Sequence, residues 1–222
     1  MIIGHQDWED LLFTHHPVPA DALRPLVPER LSIDEREGSA WVSTAAFTLR
    51  RGSVRGLPPL PDFLELNLRT YVTHPQRGPG IWFFSLDAAS TAAVIIARLA
   101  TRLPYFRASM DREGLGAGWY RSQRRHADAA FEARWEATGD ERVSAPGSLE
   151  EFLVERYALY SRIAGQLLLR GPVRHEKWPL RAARVVEWRE TLSRAAGFAM
   201  GPPALAHWTR GVSVDFEPLL PC

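Results

Sequence analysis

The chain has 222 residues, of which 45% are hydrophobic and 24% charged, and a net charge of +1. That length can bury a substantial core, and the near-neutral balance argues against nucleic acid or an anionic membrane as partner. Cys222, the only cysteine, excludes an intrachain disulfide and a cysteine-based metal cluster. Lys177 is the only lysine among 27 basic residues, so any mechanism that needs an amine has one candidate. The first residues lack a basic region followed by an apolar run, so no signal peptide is expected. The longest apolar stretch, 88–100, carries Arg98 and is too short to span a bilayer, so the expected location is cytoplasmic.

Residues 11–16 read as a short strand, followed by a proline-punctuated helical turn over 22–27 with Asp21 as its N-cap. Strands at 31–35 and 40–49 flank a turn at Glu37-Gly38, and the proline-rich 52–62 reads as a loop. Strands at 63–72 and 80–87 follow, with a turn at 75–79. The clearest helix covers 88–103: Asp87 or Ser90 caps it, Pro104 stops it, and its nearly continuous apolar surface predicts burial. Beyond it, 105–110, 118–125 and 129–138 read as strands, the last alternating Phe131, Ala133 and Trp135 against Glu132, Arg134 and Glu136. Ser148 and Glu151 form a capping box for a helix over 149–156. Strands at 157–163, 166–173, 180–188 and 207–216, and a helix over 189–196 ending at Gly197, complete the chain. Many strands around one prominent helix predict an α+β, mostly antiparallel β architecture. No linker or repeat divides residues 1–222, so a single domain is expected.

The stretch 63–72 holds the strongest chemical signal. Alternate residues of a strand point to opposite faces, so Leu64, Leu66, Leu68 and Val72 share one side and Glu65, Asn67, Arg69 and Tyr71 the other. An acid, an amide, a guanidinium and a phenol in register make either a solvated sheet face or the polar wall of a ligand cavity. In a cavity, Arg69 could clamp a carboxylate and Glu65 could act as acid or base. Alternatively, the two could neutralise each other as a structural pair.

Several separated motifs run in an order that resembles the YqjF-like family of uncharacterised bacterial proteins. They are His15-His-Pro-Val-Pro19, Glu65-Leu-Asn-Leu-Arg-Thr-Tyr-Val72, Phe84-Ser-Leu-Asp87, Leu103-Pro-Tyr105, Glu155-Arg-Tyr157 and Trp178-Pro-Leu180. The resemblance implies an acetoacetate decarboxylase-like fold, a curved sheet closing into a barrel-like core with helix 88–103 buried, and a cavity-facing acid near Glu65. Acetoacetate decarboxylases carry an arginine and, six residues later, a proline followed by two lysines, the first of which forms the Schiff base. Here Arg98 is followed by Pro104, Tyr105 and Phe106, neither of which can form an imine.

The remaining candidates are weaker. Tyr105 is either a core aromatic or a hydrogen-bond donor where the relatives keep their lysine. Arg98, on an apolar helix, needs a partner such as Asp87 or Glu65, or else binds ligand. His15 and His175 lie in the resembling motifs and could meet in the cavity. The seven histidines contain no paired metal-binding spacing, and no cofactor or metal is expected. Arg121, Arg124 and Arg125 read as a solvated edge, and Gly114-Leu-Gly-Ala-Gly118 lacks the lysine and helix of a phosphate loop. The expectation is a small-molecule cavity for a carboxylic acid, with Glu65 and Tyr105 as catalytic residues and Asn67, Arg69, Arg98 and His15 as ligand-binding residues. The chemistry expected is lyase-type acid–base work on a small oxo-acid without an imine. The alternative is a non-catalytic binding or sensing protein with the same cavity, and open sheet edges would permit a homo-oligomer.

Overall fold

The computed structural model describes residues 1–163 and 167–222. In chain order the elements are β1 (Gly4–Val18), α1 (Ala20–Leu23), β2 (Ser32–Ile33), β3 (Glu35–Arg36), β4 (Ser39–Val54), β5 (Phe63–His74) and β6 (Gly78–Ala88). There follow α2 (Thr91–Thr101), β7 (Tyr105–Leu115), β8 (Ala117–Arg124), β9 (Ala130–Arg142), α3 (Leu149–Val154) and β10 (Ala158–Arg162). The last are β11 (Leu168–His175), β12 (Leu180–Glu190), α4 (Leu192–Ala196), β13 (Leu205–Phe216) and β14 (Leu220–Pro221).

The strands bond into a mixed, mainly antiparallel sheet that closes twice. One ring runs β5–β6–β7–β8–β9–β12–β13–β1–β4 and returns to β5. A second leaves β6 through the parallel partner β10, passes to β11, and rejoins β13. Strands β13, β1, β4, β5 and β6 are therefore shared by both rings, and each shared strand buries two faces. On β5, Leu66 and Leu68 enter a core with Tyr120, Phe131 and Trp135 in the larger ring. The opposite face enters the smaller ring, where Phe63 and Tyr71 pack with Phe13, Phe47 and Trp178. Large side chains fill the first ring, and the second encloses a cavity.

Most of the expected elements are present, with informative differences. Glu37 and Gly38 both take positive φ, at 55° and 75°, the geometry of a two-residue hairpin whose twist matches its strands. Ser148 Oγ accepts from the Glu151 amide as a cap, while the Glu151 carboxylate turns to the Gly147 amide instead of closing the box on Ser148. Pro19, not Asp21, precedes α1, and no side chain caps it. The strand expected from 166 begins at Leu168, and Gln166 lies outside the described residues. Arg189 and Glu190 remain in β12, and only 192–196 turn helical before Gly197.

The expected buried helix 88–103 is corrected. α2 is shorter, Ser90 caps it, and Arg102 in the left-handed region ends it before Pro104. Only Ala93 and Val94 are fully buried, while Ile95 and Leu99 are exposed. An apolar composition signals burial, but α2 packs against the sheet along one side only. No helix among the described residues is long and apolar enough to cross a membrane.

Irregularities on the shared strands shape the rings. The β1–β4 register shifts between Glu9 and Leu12, where Asp10 adopts φ 49° and turns its carboxylate onto Trp208 Nε1 and Arg112. Across from this bulge, Gly211 pairs with Glu9 at φ 119°, and a Cβ there would collide with the Trp8 carbonyl oxygen. Gly211→Ala is expected to lower stability by about 1–3 kcal/mol from backbone strain alone, read by urea unfolding. A change within error would mean that the β1–β13 ladder yields easily.

Candidate functional site

The smaller ring holds a cavity of about 360 Å³ with one polar wall. β5 builds that wall: the alternation that sends its leucines into the larger ring places Glu65, Asn67 and Arg69 along the cavity. These side chains are no more than 3% exposed. Tyr105, the first residue of β7, reaches the same wall, with its hydroxyl 3.3 Å from Glu65 Oε2. Arg69 lies over the Phe13 ring at 5.1 Å and reaches the Leu153 carbonyl at the end of α3 only at 3.5 Å. Tyr71, on the same face, does not line the cavity; its hydroxyl donates to that carbonyl at 2.7 Å.

Several polar atoms here lack hydrogen-bond partners among the described residues. Arg69 Nε and both amide atoms of Asn67 are buried without a hydrogen bond, as is the Trp178 indole nitrogen, which also borders the cavity. Arg69 makes no ion pair among the described residues. The alternative in which Glu65 and Arg69 neutralise each other is not met: the acid faces Tyr105, and the guanidinium borders the cavity with Phe13 and the Leu153 carbonyl as its neighbours. A buried charge left alone costs several kcal/mol, so a site that keeps one is arranged to receive an opposite charge.

The electrostatics separate the two groups further. Burial pushes the Glu65 carboxyl up to about 8; the Tyr105 hydrogen bond opposes this and the nearby Asp87 adds to it. Glu65 is thus protonated at neutral pH. Burial, and secondarily the Glu65 carboxyl, lifts the Tyr105 phenol well above its ordinary value, so it remains a donor. Burial also lowers Arg69 from its usual value, with Arg156 contributing repulsion and Tyr71 opposing both. Asp87 faces the other ring, where Arg124 Nε donates to Oδ1 at 3.0 Å; burial raises its carboxyl to about 6 against that pairing.

Two expected ligand-binding residues lie elsewhere. His15 is fully buried and does not line the cavity, and it does not meet His175 there. It lies instead in a chain of contacts, Nδ1 to Ser43 Oγ at 2.6 Å and Nε2 to His207 Nδ1 at 3.2 Å, which continues to Glu150. Burial drives its imidazole well below the ordinary value, so it stays neutral. Arg98 is on the exposed side of α2; it donates to the Tyr105 carbonyl at 2.6 Å and lies over Phe106, not against Asp87 or Glu65. The neighbouring arginines are also accounted for, Arg121 by Glu132 and Arg124 by Asp87.

Two lining residues were not singled out as site residues from the sequence. Trp178 brings an unpartnered N–H, and His175, stacked on Tyr157 at 4.6 Å, gives its Nδ1 to the Glu176 carbonyl. Their signal lay in and just before Trp178-Pro-Leu180, one of the motifs that resemble the family. Lys177 points away from the cavity, half-exposed, with Nζ 3.4 Å from Glu151. No cluster of His, Cys, Asp or Glu suited to a metal occurs among the described residues.

Comparison with known proteins matches residues 5–213 to the family described as an uncharacterized conserved protein, domain of unknown function 2071. The chain belongs to this family. The uncharacterized protein YqjF of Bacillus subtilis (strain 168) is 39% identical over 98% of this chain and 91% of its own. Among solved structures, the enduracididine biosynthesis enzyme MppR complexed with pyruvate superposes with a TM-score of 0.67 at 10% identity, covering 99% of this chain and 90% of that one. An acetoacetate decarboxylase-like enzyme from Sphingomonas wittichii RW1 gives 0.66 at 14% identity, covering 100% and 94%. Acetoacetate decarboxylase from Legionella pneumophila gives 0.67 at 9%, covering 98% and 86%. At these identities the likeness is one of fold, and it establishes the acetoacetate decarboxylase-like architecture.

The raised Glu65 carboxyl has a thermodynamic signature. The native state keeps a proton that the unfolded chain releases near its ordinary value of 4.5, so this group's stability contribution falls as pH rises toward about 8. The depressed histidines His15, His16, His74, His175 and His207 act in the opposite sense. The unfolded chain is still half protonated at these positions at about pH 6.5, so their contribution is complete only about one unit higher, near pH 7.5. Between pH 6.5 and 8 the Glu65 contribution should therefore decline by at most about 1.4 kcal/mol per pH unit, and net stability should fall once the histidine contribution is complete. Glu65→Gln should flatten that decline in urea titrations; an equally steep slope in the variant would assign the proton elsewhere.

Proposed function

We propose that the cavity binds a small carboxylic acid and performs lyase-type acid–base chemistry on an oxo-acid without a Schiff-base lysine. The observation that carries this reading is Arg69, a buried guanidinium without an ion pair among the described residues, on the same cavity wall as a carboxyl that burial pushes up to about 8. An anionic ligand would supply the missing charge, its carboxylate accepting from Arg69 and from the unpartnered Asn67 Nδ2. Glu65, as a neutral acid, would hand its proton to the carbonyl oxygen of a 3-oxo-acid as the bond from the α-carbon to the carboxylate breaks. That electron pair forms the double bond of an enol and carbon dioxide leaves, after which the α-carbon takes a proton from water and the enol proton returns to Glu65. The Tyr105 hydroxyl would hydrogen-bond the same oxygen, stabilising charge as it develops. A solved neighbour of the same fold, the enduracididine biosynthesis enzyme MppR, is complexed with pyruvate, itself an oxo-acid. An imine route is disfavoured because the only lysine, Lys177, is outside the cavity and held by Glu151.

The test is a thermal-shift screen of small oxo-, hydroxy- and acyl-carboxylic acids against wild type and Arg69→Leu. A ligand at a hundred times its Kd adds about 2.7 kcal/mol and should produce a clear shift. The hits should vanish in Arg69→Leu, which should itself be at least as stable as wild type because an unpaired buried charge has gone. Hits that persist unchanged in the variant would overturn the carboxylate clamp.

Turnover, followed on an acid found this way, should need protonated Glu65 and so fall as pH rises past about 8. Glu65→Gln should retain binding and lose turnover, and Lys177→Arg should retain both. Loss of turnover in Lys177→Arg, or a reducible covalent adduct with substrate, would restore the imine. Binding with no turnover of any acid would favour the non-catalytic alternative.

A further inference from the structure

The cavity is larger than its polar wall requires. About 360 Å³, at roughly 30 Å³ for each water-sized group, accommodates around twelve such groups. A carboxylate uses three of them, leaving about nine. An oxo-acid of three or four carbons would leave much of this space filled with nothing, or with water that the surrounding wall cannot bond.

That wall is apolar where it lies farthest from β5 around the ring. Leu159 on β10, Leu169 and Val173 on β11, Phe216 at the end of β13 and Leu219 beyond it face the space across from Glu65, Asn67 and Arg69. α2 covers it with Ala93, Ile96, Ala97 and Ala100. The charged groups that reach this side are already engaged: Arg156 with Asp34, and Glu217 with Arg174. The unpartnered polar atoms on the lining residues belong to Asn67, Arg69 and Trp178, together with Nη2 of Arg156 just after α3, and Arg69 and Trp178 share Phe13 as a neighbour. The cavity is thus amphipathic, with a polar wall that calls for an anion and a longer stretch that offers only hydrocarbon contact.

We infer that the ligand is a monocarboxylic acid carrying an apolar body of roughly nine carbons, its carboxylate at Arg69 and Asn67 and its chain along β10, β11 and β13 beneath α2. The inference rests on the proposed reading of Arg69 as a carboxylate clamp and adds the class of molecule. Apolar burial supplies the selectivity. Each enclosed methylene should tighten binding about fourfold, the equivalent of about 0.8 kcal/mol, until the chain meets the end of the cavity.

Isothermal titration of the purified protein with unbranched saturated monocarboxylic acids of three to twelve carbons, and with the matched primary alcohols, tests this. The expected result is a Kd that falls about fourfold per carbon and stops improving near ten carbons, with each alcohol at least tenfold weaker than its acid. Val173→Trp should move the stopping point to shorter chains; Leu219→Trp, on a segment with more room to adjust, should do the same should the first variant fail to fold. Short acids that bind with a Kd independent of length overturn the apolar-chain inference and leave the clamp standing. Alcohols that bind as tightly as acids, with the length dependence intact, overturn the clamp and leave the apolar site. No binding at any length overturns both.

Discussion

Strand β5 is hydrogen-bonded along both edges and covered on both faces, and the chemistry of the molecule follows from that placement. A strand with one wet side can carry polar residues at little cost, because water completes their hydrogen bonds. Shared between two closed rings, β5 has no wet side. Its leucines complete one packed interior, and its acid, amide and guanidinium are left in another interior that is not filled. The wall is consequently both buried and under-partnered, a combination that natural cores avoid unless a ligand or ordered water completes it.

Within that wall, charge is distributed unequally. Low dielectric favours neutral forms, and Glu65, with only a long hydrogen bond from Tyr105 to offset desolvation, becomes a neutral acid. Arg69 holds its charge without a counter-ion. Asp87, one strand away, faces the other ring, where Arg124 engages it, so its carboxylate perturbs Glu65 without competing for Arg69. Two acids and two arginines close in space are thereby kept from collapsing into mutual ion pairs, because adjacent strands aim them into different interiors.

α2 links this wall to the rest of the fold. It lies between β6 and β7, covers the cavity with small side chains and leaves Ile95 and Leu99 outward. Arg98 on its outer side ties the helix to the Tyr105 carbonyl, so the residue whose hydroxyl meets Glu65 is anchored to the cover from its backbone. His15, equally buried, belongs to a separate polar chain that runs through His207 to Glu150. Burial alone therefore does not mark a residue as part of the cavity.

Local sequence determined a good deal: the alternation of 63–72, the hairpin at Glu37-Gly38, the caps at Ser90 and Ser148, and the stop at Gly197 are each set within a few residues. The separated motifs also carried the family and its fold. Local sequence could not decide whether the polar face of β5 met solvent or a cavity, because that depends on β10 and β11, almost a hundred residues away, closing the second ring. Nor could it separate His15 from the cavity, exclude Asp87 as the partner of Arg98, or show Trp178 as an unpartnered donor. The pattern of a strand specifies which side chains share a face, and only the closed sheet decides what that face looks onto.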